Sequence, residues 1–208
     1  MRVFPVSVVV PQGPYTLRNG RGRQCPPDRL WYRDDFEAPR QGGRYKHEAC
    51  DVFAPEGSLV LAPEAGEVIA TQSTPRGGLV VQVLSVDAQG RGRRYLFSHL
   101  ASIDVAEGDR VEPGSMLGTV GRTGNAAPTC PHLHLGIRKA WRDPRSRSVG
   151  LGQPVNPFPE LARLLPMPPG GLHFRRASPD PGTAVAKPSP SASDRTDPSS
   201  TPAPEVLS

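Results

Sequence analysis

No stretch of this 208-residue chain approaches the ~20 consecutive apolar residues that carry a helix across a bilayer. The start, Met1 to Pro11, holds a short apolar run broken by Pro5 and Ser7, below the ~7–15 residues of a secretory h-region, so no signal peptide is read there. Cysteine is scarce. Three are present, and an odd number leaves at least one unpaired within the chain. Lysine is missing between Lys46 and Lys139. There is no zinc-finger spacing, no recognition-helix pattern and no aromatic stacking run, so no nucleic-acid partner is expected.

Glycine and proline are abundant, at 22 and 26 residues, and both disfavour helix interiors. A helical bundle is therefore excluded, and short strands with many turns are favoured. The net charge is +5, whereas residues 171–208 carry four Lys/Arg against four Asp/Glu. The whole excess thus belongs to the first 170 residues. It suits an anionic partner surface such as a polyanionic cell wall, although mildly basic surfaces are as common with no such partner.

Along the chain, residues 1–39 read as an irregular arm, with a short β-like run at Val6 to Val10 and with Leu30, Trp31, Tyr32 and Phe36 as apolar anchors. The turn cluster Pro39 to Gly43 then delivers the chain to His47. Short β-branched or apolar runs follow at Ser58–Ala62, Glu67–Ala70, Leu79–Val86, Arg94–Leu100, Met116–Val120 and Leu133–Ile137, separated by tight turns. Parallel strands would need long crossovers, so a mostly antiparallel sheet is predicted over a domain spanning 40–165. Asp143 to Ser148 reads as a polar loop and Glu160 to Leu165 as a short helix. Residues 166–208, rich in Pro and Ser, carry too little apolar content for a core and are expected to be a disordered tail.

The chemistry gathers around Thr129-Cys130-Pro131-His132-Leu133-His134-Leu135. In a strand, residues i and i+2 share a face roughly 6.5–7 Å apart, so both imidazoles can reach one site while Leu133 and Leu135 face a core. His47, His99, His132 and His134 all fall in the β-rich segment; His173 lies beyond it. His47 and Asp51 offer a neutral nitrogen and an anionic oxygen, both of kinds zinc accepts. A straight strand would hold their α-carbons roughly 13 Å apart, so the chain must bend or coil between them. His47-Glu48-Ala49-Cys50-Asp51 superficially matches the helical metalloprotease pattern His-Glu-x-x-His, but with aspartate for the second histidine. Three protein ligands suit a catalytic zinc, and His47, Asp51 and one member of the His132/His134 pair supply them. Two histidines remain for proton transfer. The residues themselves do not say which member of the pair binds metal.

His47-x3-Asp51, Asp51 to Gly57, Ala62 to Val68, Phe97-Ser98-His99-Leu100, Gly121-Arg122-Thr123-Gly124-Asn125 and His132-Leu133-His134 together resemble the lysostaphin/LytM-type zinc endopeptidases, over about residues 40 to 140. The resemblance implies an antiparallel β groove of the sandwich-like, duplicated hybrid type, and hydrolysis of peptide bonds in peptidoglycan cross-links or stem peptides. It implies one zinc on His47, Asp51 and His134, with His99 and His132 as catalytic residues. By substrate class it also implies an extracytoplasmic location and, as partner, peptidoglycan peptides met by a monomer. Two departures stand out. Ala49 replaces the glycine usual two residues after the first histidine, and Phe97 replaces the tyrosine usual two residues before the catalytic histidine, removing its hydroxyl.

Cys50 and Cys130 flank proposed ligands, so a disulfide between them is one reading and plain buried thiols the other; Cys25 looks incidental. Two other functions compete with the enzyme. A catalytically silent wall binder or hydrolase regulator of the same fold would have no evident use for four converging histidines. A biotinyl or lipoyl carrier is suggested by Val105 to Gly114, but the lysine-free stretch leaves nothing to modify.

Overall fold

The computed structural model describes residues 2–11 and 16–174. Its strands are β1 (Val6–Ser7), β2 (Arg29–Leu30), β3 (Pro39–Arg40), β4 (Tyr45–Lys46), β5 (Ala49–Phe53), β6 (Leu59–Leu61), β7 (Gly66–Thr74), β8 (Gly78–Val86), β9 (Arg91–Ile103), β10 (Arg110–Val111), β11 (Met116–Val120), β12 (His132–Arg142), β13 (Val149–Val155) and β14 (Leu172–His173). One helix, α1 (Phe158–Leu164), follows β13. All pairings are antiparallel, as the short turns require.

The long strand β9 organises the main sheet. It pairs with β8 and, over Arg91 to Ser98, with β12; its C-terminal part pairs with β11. Beyond β12 lies β5, and beyond β8 lies β7. Alternation along β12 sends Leu133 and Leu135 into the core, 0% and 2% exposed, against Val52, Phe97 and Val81. Each such leucine stabilises the fold by about 1.5–3 kcal/mol through burial alone. The intervening His132 and His134 are thereby forced onto the other face.

The predicted runs reappear as β6, β7, β8, β9, β11 and β12. Unread in the sequence is β13, whose Gly150, Gly152 and Pro154 mask it; it pairs only with β12, and a proline is tolerated on such an edge. Asp143 to Ser148 is the hairpin loop joining β12 to β13, and its Asp143 carboxylate accepts the N–H groups of Arg145 and Ser146.

The arm joins the sheet: β1 pairs with β6, and the Trp31 backbone exchanges both of its hydrogen bonds with Phe53. Leu30 and Tyr32 are buried, and the Tyr32 hydroxyl donates to the Leu165 carbonyl at 2.5 Å. Residues 175–208, most of the expected tail, lie outside the described residues; just before them, β14 pairs with β2.

The cysteine reading needs correction. Cys25 and Cys130 form the disulfide, across a sequence separation of 105, and Cys50 is the free, buried thiol. Cys50 sits on the core face of β5 and donates its S–H to the Arg33 carbonyl, and burial pushes its pKa up, which keeps it a protonated packing residue. Closing so long a loop removes denatured-state entropy on the order of 4–5 kcal/mol.

Candidate metal centre and catalytic groove

Register brings the candidate ligands together. In the ladder between β5 and β12, Asp51 stands directly opposite His134, and His134 is in turn opposite Ser98 of β9. Directly opposed residues hold their β-carbons ~4.5–5.5 Å apart, close enough for side chains to share one site. His47 arrives from the other direction. The hairpin of β3 and β4 ends there, with the His47 N–H donating to the Ala38 carbonyl and its own carbonyl accepting from Glu37. His47 and Glu48 belong to neither β4 nor β5, which begins at Ala49, so the segment is not the helix of a His-Glu-x-x-His site. Ala49 adopts no positive φ and is fully buried opposite Gly136, so the missing glycine costs no backbone strain at that position.

Three donor atoms form a nearly equilateral triangle. His47 Nε2 lies 3.1 Å from His134 Nδ1 and 3.1 Å from Asp51 Oδ1, and His134 Nδ1 lies 3.0 Å from the same oxygen. Among the described residues, these three are the group of potential ligands close enough to share an ion. His47 Nδ1 sits 3.0 Å from the Asp35 carbonyl, which can only accept, so it carries the proton and leaves Nε2 as a lone pair. Lone pairs and a carboxylate gathered at one point need a cation between them. Four-coordinate zinc with ~2.0–2.2 Å bonds spaces its donors roughly 3.3–3.6 Å apart, within a few tenths of an ångström of this triangle. The donor set fits such an ion.

Electrostatics agree with this. Burial pushes the Asp51 carboxyl upward, but bonds from His134 and His47 outweigh it and hold the group well below the usual carboxylate range. Burial likewise pushes His47 down, yet its bonds to Asp35 and Asp51 prevail and raise it to about 9, so the site favours a positive charge at this ring, and Nε2 gives up its proton when a cation takes that place. Asp35 is the residue that sequence reasoning missed. Its carboxylate lies 3.2 Å from His47 Nδ1, and Arg40 Nη2 bridges it, at 2.9 Å, to Asp51 Oδ2 at 3.2 Å. A carboxylate behind a ligating imidazole fixes the ring and its tautomer. Only its place just ahead of the Pro39–Gly43 turn hinted at this.

His132 and His99 stand beside the triangle. His132 Nε2 is 3.9 Å from Asp51 Oδ1, and the His99 ring centroid is 5.1 Å from that of His132 and 5.6 Å from that of His134. Each Nδ1 faces a backbone carbonyl, Cys130 at 2.9 Å for His132 and Thr123 at 3.0 Å for His99. Both rings therefore keep Nε2 free to accept a proton. Burial lowers the pKa of His132, and burial together with repulsion from His132 and His134 lowers that of His99 to about 4. Both are neutral bases at physiological pH.

His99 reaches the groove through a bulge. Between the pairs Leu79↔Leu100 and Val81↔Phe97, Ser98 and His99 oppose the single residue Val80, and His99 takes φ of 65°. A non-glycine residue there stores on the order of 1–3 kcal/mol of strain, held by the His99 N–H to Gly77 carbonyl bond of 2.8 Å. The extra residue turns His99 away from the core face that Tyr95 and Phe97 occupy. Phe97 is wholly buried, so the position where a tyrosine was expected packs in the core. The groove itself holds about 740 Å³ and is lined by Arg40, Arg76, Arg94 and Arg138 as well as by the histidines.

The description "Peptidase family M23" matches residues 45–157, more than half of the chain and all the residues of the triangle. The chain belongs to peptidase family M23. Its fold is that of the lysostaphin/LytM-like catalytic domains. It is 30% identical over 140 residues to the cell division protein DipM of Caulobacter vibrioides, covering 67% of this chain and 22% of that protein. Over 89 residues it is 34% identical to the glycyl-glycine endopeptidase ALE-1 of Staphylococcus capitis, covering 43% and 24%. The chain thus spans about a quarter of the length of these curated relatives. The catalytic domain of lysostaphin from Staphylococcus simulans shares the fold, with a TM-score of 0.50 at 24% identity over 64% of this chain and 92% of that one.

Proposed function

We propose that this chain is a zinc-dependent endopeptidase that hydrolyses peptide bonds in peptidoglycan cross-links or stem peptides. The carrying observation is the convergence of His47 Nε2, Asp51 Oδ1 and His134 Nδ1 within 3.1 Å of one another, beside two neutral histidines and on the wall of one groove. Membership of family M23 and the likeness to a glycyl-glycine endopeptidase support the reaction class.

His47, Asp51 and His134 are the residues that would hold the ion. When bound, zinc supplies Lewis acidity, which lowers the pKa of water and polarises a scissile carbonyl. Asp35 keeps the His47 ring oriented with Nε2 toward the ion. His132 and His99 work as the catalytic pair: a free Nε2 takes a proton from the attacking water and returns one to the departing amine nitrogen. Such transfer is worth roughly 100 to 10,000-fold in rate. Their lowered pKa values leave both rings neutral, with Nε2 unprotonated, at neutral pH. The proposed substrate class implies a location outside the cytoplasm, and the Cys25–Cys130 disulfide supports that reading, since such bonds persist in oxidising compartments.

The test is to incubate the zinc-loaded full chain with purified sacculi and follow new amino groups, with and without a chelator and with His132→Ala. Release that both the chelator and the substitution abolish is expected. Unchanged muropeptides with the zinc-loaded wild type would leave only a wall-binding or hydrolase-regulating role for the fold.

A further inference from the structure

Next to the catalytic groove lies a second recess of about 530 Å³, built largely from residues that precede the family match. Its outer wall is the loop from Leu17 to Cys25. The Cys25 N–H closes that loop on the Leu17 carbonyl, and the Asn19 carboxamide oxygen accepts the N–H groups of Arg21 and Arg23 at 3.0 and 3.1 Å. Three ties fix it to the segment that leads into β12. The Gly20 N–H donates to the Pro128 carbonyl, Arg122 Nη1 spans the carbonyls of Arg18 and Ala127 at 3.1 and 3.2 Å, and Cys25 is bonded to Cys130.

Charge and continuity with the groove distinguish this recess. Arg21, Arg23 and Arg29 line it, and no Asp or Glu does. Among the described residues, neither Arg21 nor Arg23 is paired with a carboxylate, and the buried Nε of Arg29 has no hydrogen-bond partner. Phe53 and Thr129 line both this recess and the catalytic groove. The Phe53 ring stacks on Trp31 at 4.2 Å and lies 5.0 Å from the His132 ring, so it forms the ridge between the two spaces.

We infer that the recess is a substrate subsite for a carboxylate-bearing stretch of the peptide, on the His132 side of the metal ligands. The inference rests on the endopeptidase reading and adds to it a specificity element that the arm brings. Trp31 and Phe53 take the aliphatic stem of the substrate, and the guanidinium groups take its carboxylates, a pairing that planar Arg forks suit.

A peptide with free side-chain and C-terminal carboxylates is compared with its fully amidated twin, on the zinc-loaded full chain and on the exposed-site variant R21Q/R23Q. KM is read from hydrolysis and Kd from calorimetry. The wild type is expected to favour the acidic peptide about five- to tenfold, with the preference collapsing toward unity in the variant, as loss of two solvent-facing charge contacts implies. Equal handling of the two peptides by the wild type, or a preference kept in full by the variant, overturns the subsite. If neither peptide is cut, the endopeptidase reading falls by itself, and the Kd ratio still decides the subsite.

Discussion

The carbonyl oxygen of Cys130 accepts the Nδ1–H of His132 at 2.9 Å, while the sulfur of the same Cys130 is bonded to Cys25 of the arm. The group that sets the tautomer of a proposed catalytic base is thus stapled to a segment 105 residues away. The Cys25→Ser/Cys130→Ser double variant is expected to lose about 2–5 kcal/mol of stability, read as a drop in Tm. At temperatures where it stays folded, its kcat should also fall, because the Cys130 to His132 link loses its anchor. An unchanged kcat in the folded variant would show that Pro131 and Thr129 hold the ring without the bridge.

Asp35 offers a sharper measurement, because it touches no substrate in the proposed scheme. Its carboxylate faces His47 Nδ1 and is held by Arg40. Asp35→Ala removes the charge behind the ligand and is expected to weaken zinc binding by about 10–100-fold in chelator competition. Asp35→Asn should recover part of the loss, since its carboxamide oxygen can still accept the His47 Nδ1–H although the charge is gone.

Legibility in the sequence followed the range of the interaction. His132 and His134 could be placed on one face because the period of a strand is local, and Leu133 and Leu135 confirm that parity by their burial. That His47 and Asp51 cannot sit on one straight strand also followed from length alone, and β4 ends at Lys46 while β5 begins only at Ala49. The bulge at Ser98–His99 did not, since nothing in Phe97-Ser98-His99-Leu100 announces that one residue is inserted against β8. The disulfide was equally hidden: Cys25 belongs to a loop with no periodic pattern, and only the antiparallel return of the whole sheet brings it to Cys130. Cys50, nearer to the ligands in sequence, points into the core instead.

Acid stability should depend on Glu64. Burial pushes its carboxyl up, but bonds from Arg2 and Tyr95 overcome that and hold it below the ordinary value. A carboxylate with a lowered folded pKa contributes stability that is fully present above its unfolded pKa, about 4.3 for glutamate, and that is lost as pH falls toward the folded value. Glu64→Gln is therefore expected to lower Tm at pH 7 and to flatten its decline below about pH 4.3. Parallel Tm curves for the two proteins from pH 7 to pH 3 would show that the pair contributes nothing to the acid limb.

Gly124 links the loop motif to the bulge. Its φ is 66°, and a β-carbon there would come 2.3 Å from the Gly78 nitrogen and 2.7 Å from the Arg76 carbonyl oxygen, both of them backbone atoms that cannot swing aside. The adjoining Thr123 does two things at once: its hydroxyl donates to the Leu100 carbonyl and accepts the Leu79 N–H, and its carbonyl accepts the Nδ1–H of His99. Gly124→Ala must push this turn away from the strand pair that carries His99. A stability loss of about 1–3 kcal/mol is expected from the strained backbone. A fall in kcat should exceed any change in zinc affinity, because Gly124 packs on Gly78 and Arg76, beside the bulge that carries His99, and not on His47, Asp51 or His134. Zinc affinity and peptide hydrolysis measured on the same folded preparation separate the two effects, and a loss of zinc binding equal to the loss of rate would refute this division of labour.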